Sequence, residues 1–208
     1  MNKRFCLWMG VAIIISLTGR VVAADEQGVE ESTGFTGVGV AVVGEMDAAA
    51  VERIRAFAER NTSIRVRIRE VPAMAAESLG EVADALAPLR VEEDAAFVLL
   101  YVGDSDFPDH TVYRYNQRTG IVNVSLLHTD DEERFLRRIE KLTMRSLGLL
   151  LNVPPVPNPQ SAMWTYSTLE ELDLMGRNFD PPSLRNIQVN AQELGIELIA
   201  DSPFLMIR

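Results

Sequence analysis

Four cationic side chains, Arg134, Arg138, Lys141 and Arg145, stand at i, i+4, i+7 and i+11. On a helix that spacing lines them along one face. Such a stripe can be a solvated face, balanced by Asp130, Glu133 or the acids of LEELD, residues 169–173. Alternatively, Arg138, Lys141 and Arg145 converge as an anion site for a carboxylate or an acidic peptide. Arginine suits that task because its planar fork matches a carboxylate with two parallel hydrogen bonds. His110 and His128 are the only histidines. With Asp104, Asp106, Asp109, Asp130 and Asp131 they have the residue types of a His–carboxylate metal site. DSDFPDH, residues 104–110, nevertheless lacks the order of acids and glycine that a calcium loop needs. No Ser–His–Asp spacing stands out. Glu132, Glu133 and Glu140 read as ordinary helix-surface acids, and Glu140 lies about 100° around the helix from Lys141.

The rest of the chain must position these groups. It has 208 residues, 47% apolar and 24% charged, which suits one domain with a real core. MNKR, a fifteen-residue apolar run from Phe5 to Gly19, and small residues at Ala23 and Ala24 follow the order of a secretory signal peptide. The run falls short of the roughly 18 apolar residues of a membrane span. The expected organisation is a signal peptide over 1–24, a flexible acidic lead-in over 25–36 and a single domain over 37–208. Cleavage removes Lys3, Arg4 and Arg20, so the 20 basic side chains fall to 17 against 30 acidic, a net charge of −13. It also removes Cys6, the only cysteine. The exported chain then has no disulfide, thiol nucleophile or thiolate metal ligand. So acidic a balance argues against nucleic acid as a partner, because phosphate needs a basic footprint. No membrane association is expected once the leader is gone.

The periodicities predict elements in a clear order. VGVAVVG, residues 38–44, reads as a buried strand, and Asp47 precedes a helix burying Val51, Ile54, Phe57 and Ala58. SIRVRIREV alternates as a half-exposed strand. Residues 78–89 give a second helix, and AAFVLLYVG, residues 95–103, a central buried strand. Residues 111–127 form a hairpin turning at NQRTG. Asp130 or Asp131 caps a long helix, with a buried stripe of Phe135, Ile139, Leu142 and Leu149, ending near Gly148. A proline-rich loop, NVPPVPNPQ, follows. STLE, residues 167–170, is a capping box opening a short helix. Asp180, Pro181 and Gly195 bracket a final helix, and an apolar tail offers one more strand. The fold class is therefore α/β: a sandwich with a mixed sheet, a long helix and a small helical C-terminal subdomain.

Two stretches carry a resemblance. KLTMRSLGLLLN, residues 141–152, places a glycine near the end of the long helix, and PNPQSAMWTYSTLEELDLMGRNFDPPSLRNI, residues 157–187, follows with a methionine turn. In order and spacing, roughly residues 37–190 resemble the archaemetzincins, a family of zinc metallopeptidases. That family carries H-E-x-x-H-x-x-G-x-x-H-C, whose three histidines hold zinc while the glutamate deprotonates the metal-bound water. Aligned on Gly148, the resemblance puts Lys141 and Arg145 at the first two ligand positions and Leu142 at the base. The third ligand falls on Leu151, or on Pro155 from the far end of the loop. The family's methionine turn is matched by Met163. Its second zinc uses four cysteines, matched here by Val156 or Asn152, then Ser161, Asp180 and Ser183. No position keeps a histidine or cysteine, so the resemblance implies no cofactor and a scaffold of Gly148, Met163, Phe179, Pro182 and a helix cap at Ser167.

Three functions follow as expectations. The first is an exported, catalytically inert pseudopeptidase that binds a peptide or protein, holding an extended chain against the edge strand TVYRY. The second is a metallopeptidase acting through a metal site elsewhere, or an unrelated hydrolase. The third is an interaction domain whose cleft is filled by its own residues.

Overall fold

Valine-rich β1 (Gly37–Val43) is the second strand of a five-stranded sheet ordered β2-β1-β3-β5-β4. The computed structural model describes residues 35–74, 76–86, 88, 92–103 and 107–207. These all belong to one compact unit, Thr33–Arg208. The expected signal peptide, most of the expected lead-in, Asp104 and Asp106 lie outside the described residues. β2 (Val66–Arg69), β1, β3 (Asp94–Tyr101) and β5 (Thr119–Asn123) run parallel; β4 (Thr111–Arg114) pairs antiparallel with β5 at one edge. Every residue of β3 is buried, as the apolar run of residues 95–101 requires for a strand covered on both faces, and its first residue, Asp94, accepts from Arg69. β2 forms the other edge. There Ile64 and Val66 point inward while Ile68 stays 47% exposed, contrary to the simple alternation.

Two apolar clusters cover the sheet. On one face α1 (Ala48–Thr62), α3 (Glu132–Leu150), α4 (Leu169–Leu174) and α5 (Pro181–Glu193) pack against Val38, Val40, Val98, Leu100 and Val122. On the other, α2 (Leu79–Leu86) covers Ala41, Phe97, Leu99 and Ile121. The α/β class and mixed sheet are as expected. Among the described residues no helix is long and apolar enough to cross a membrane.

Three local expectations need correction. The short helix is capped by Thr168, which accepts from the Glu171 N–H at 3.2 Å, while Glu171 reaches back to the Ser167 N–H. The capping box thus sits one residue later than Ser167. Residues 124–127 turn as a 3₁₀ helix instead of extending β5. The tail adds no strand; its backbone groups are taken by Gln188, whose amide donates to the Phe204 carbonyl and accepts from the Met206 N–H.

Candidate functional site

α3 carries the stripe. Asp131 caps it by accepting from the Arg134 N–H at 3.0 Å, and acidic residues fill its first turn, where the helix dipole favours them. Arg138 is buried. Its Nε and Nη2 each donate to Asp173 at 2.7 Å, and its Nη1 donates to the Leu127 carbonyl at 3.1 Å. This pairing holds the Asp173 carboxyl below its usual value. Lys141 is also buried, and its Nζ donates to the Leu172 and Asp173 carbonyls at 2.9 and 2.7 Å. Burial lowers this amine, against the pull of Asp173. Arg145 donates from Nη1 to the Met163 and Trp164 carbonyls, both at 2.9 Å. The cations therefore turn inward and tie α3 to the two segments that follow it. Of the solvated-face reading, the exposure holds for Arg134, 3.9 Å from Asp131, and the balance by LEELD holds for Arg138, whose partner Asp173 lies in that stretch. Arg138 and Lys141 have their charge buried and their donors engaged, so an anion there would have to displace Asp173.

The residues that the resemblance matches to metal ligands can be tested against zinc. Zinc needs neutral imidazole, thiolate or carboxylate lone pairs. Lys141 and Arg145 offer protonated donors already committed to carbonyls. Leu142 and Leu151 are fully buried hydrocarbons. At the second position Val156 donates its N–H to the Met163 carbonyl and bridges to Trp164. The Ser161 hydroxyl donates to Asp180 at 2.6 Å and accepts from the Met163 N–H. Burial works to raise the Asp180 carboxyl, but hydrogen bonds from Ser161, Ser183 and the backbone outweigh it and hold it low. A hydroxyl–carboxylate knot thus stands where the family has four thiolates. Neither set fits zinc. Among the described residues no three His, Cys, Asp or Glu side chains gather where an ion could be held. His110 stacks on Tyr166 and His128 stands edge-on to Phe135, each pair 5.9 Å apart.

The frame around these positions is tight. α3 runs through Gly148 to Leu150, and the chain turns at Asn152, whose φ is 60°. Gly148 is needed for contact instead of for the turn: a Cβ there would lie 2.4 Å from Met163 Sδ and 2.9 Å from Phe179 Cε1. The Tyr113 hydroxyl meets Ser146 at 3.2 Å. Tyr113 thereby links β4 to α3, while Tyr166 rests on His110 beside β4. Burial raises both phenols.

Glu140 was misread as a surface acid. It is 1% exposed and accepts from Arg53 Nε and Arg177 Nη1, both at 2.9 Å. Its position signals this: Leu136, Glu140, Met144 and Leu147 share one inward face.

No family model and no curated protein matches the sequence. Solved structures do match. An archaemetzincin from Methanopyrus kandleri is similar with a TM-score of 0.66 and 19% identity, over 79% of this chain and 99% of that one. A zinc-dependent peptidase from Methanocorpusculum labreanum gives 0.63 and 14%, over 73% and 100%. An archaemetzincin from Archaeoglobus fulgidus, complexed with malonate, gives 0.58 and 11%, over 72% and 98%. The fold is archaemetzincin-like.

Proposed function

We propose that this chain is an exported, metal-independent pseudopeptidase that acts by binding a peptide or protein. One observation carries the reading. Lys141 and Arg145, matched to the first two zinc ligands, spend their hydrogen bonds on the carbonyls of Leu172, Asp173, Met163 and Trp164. No base stands at Leu142, so water activation by the family's route has no residue to perform it. The binding part of the reading rests on β4. It is the antiparallel edge of the sheet and offers backbone groups on its open side to an extended chain. Export rests on the charged, apolar and small-residue order of residues 1–24.

The test uses the mature protein beginning at Asp25. After dialysis against zinc-free buffer, elemental analysis should find well under one zinc per chain. Casein and a mixed peptide library should remain uncut with zinc added. A stoichiometric metal or specific cleavage would restore the metallopeptidase reading. Recovery of Met1 at the N-terminus of protein from a membrane fraction would replace export with anchoring.

A further inference from the structure

A crevice of about 530 Å³ opens at the carboxyl ends of β1, β3 and β5. Its place follows from the topology. β2 lies on one side of β1 and β3 on the other, and the connecting helices α1 and α2 cover opposite faces. Connections that diverge in this way leave the ends of the strands between them uncovered, which is where open α/β sheets bind ligands.

Its floor is closely packed backbone. Gly44 has φ 94°, and a Cβ there would lie 1.8 Å from the Val102 carbonyl oxygen. A Cβ on Gly103 would lie 2.6 Å from the Tyr101 hydroxyl. The Val102 N–H donates to the Val43 carbonyl at 2.7 Å, joining the two strand ends. Ser125 fixes the third wall, donating to the Gly103 carbonyl at 2.7 Å and accepting from its N–H at 3.0 Å. These polar groups are satisfied by one another and leave little for a ligand. Chemistry remains at the mouth. Glu45 is exposed and makes no ion pair or hydrogen bond with another described side chain. Opposite it stand the two rings of His128 and Phe135, in edge contact.

We propose that this crevice binds a compact organic ammonium ion, with the charged nitrogen at Glu45 and an apolar body against the two rings. A free carboxylate favours a cation, and the two rings give the apolar body a surface to cover. An anion would meet Glu45 and the acidic balance of the whole chain. The other charged hollows are less suited. Beside Arg53 and Arg177, for example, the cations already grip Glu133 and Glu140. The proposal does not depend on whether the chain is a peptidase.

Phenethylamine and 3-phenylpropionate, alike in shape and opposite in charge, separate the outcomes. Each is titrated into the isotope-labelled mature protein at neutral pH, with amide shifts as readout. The amine should move the amides of Gly44, Gly103 and Ser125 and bind about five-fold or more tightly than the acid, the scale of one partly exposed charge contact. Glu45→Gln, an exposed position where folding is not at stake, should remove most of that preference. Equal affinity for the two probes, shifts mapping elsewhere, no shifts, or an unchanged preference in the variant would each overturn the proposal.

Discussion

Gly148 lies directly against Met163: no side chain could stand between the helix backbone and the thioether without one of them moving. The methionine turn therefore packs under α3 through a contact that needs no metal.

Gly148→Ala should test that contact. A methyl would gain about 1 kcal/mol of helix propensity but overpack by about 1–3 kcal/mol. The expected result is a net loss of up to about 2 kcal/mol in urea unfolding. In a Met163→Ala background only Phe179 still crowds the methyl, and the penalty should fall.

Lys141→Met keeps the length of the side chain and removes the donors. The Leu172 and Asp173 carbonyls then lose a partner in a buried place. A loss of about 1–3 kcal/mol is expected, softened because an ammonium no longer has to be desolvated. Chemical unfolding with and without a chelator is the measurement. The loss should be the same in both.

Glu140→Ala should destabilise more than Glu140→Gln, because truncation leaves Arg53 and Arg177 facing one another around an empty space. Both arginines are more than a third exposed, so the cost is discounted to about 1–3 kcal/mol from that of a fully buried pair. Equal unfolding midpoints for the two variants would contradict this account.

The alkaline limb of stability should belong to Tyr113 and Tyr166. Burial raises both phenols above the unfolded value of about 10. Their contribution is complete below about pH 10 and is lost as pH rises through the folded values, because the unfolded chain ionises first. Lys141 acts in the opposite sense: its lowered amine adds stability as pH climbs toward about 10.4. Ultraviolet titration should show two phenols ionising only as the fold is lost. Tyr113→Phe and Tyr166→Phe should flatten the alkaline limb.

Much of the fold was legible because its elements announce themselves locally. The period of α1, the apolar run within β3 and the hairpin turn, where Arg118 adopts φ 47°, are written within a dozen residues each. The candidate site was legible only as residue types. Helical spacing puts Arg138, Lys141 and Arg145 on one helix, and LEELD holds the Asp173 that pairs with Arg138, but the other partners are the Leu127 carbonyl upstream and carbonyls 18 to 32 residues further on. Most of those partners are backbone carbonyls, which every residue carries and no pattern marks. Glu140 was misjudged by weighing its charge above its position, and Ser167 by preferring the first of two adjacent hydroxyls.

Lys141 has a consequence for handling the protein. It is the sole lysine after Lys3, and it is buried in the middle of a nineteen-residue helix. A lysine-directed protease therefore finds no accessible bond in the folded domain and a single one, Lys141–Leu142, once α3 opens. The two fragments of one cut become a direct count of opened molecules, with no dye or reporter group added.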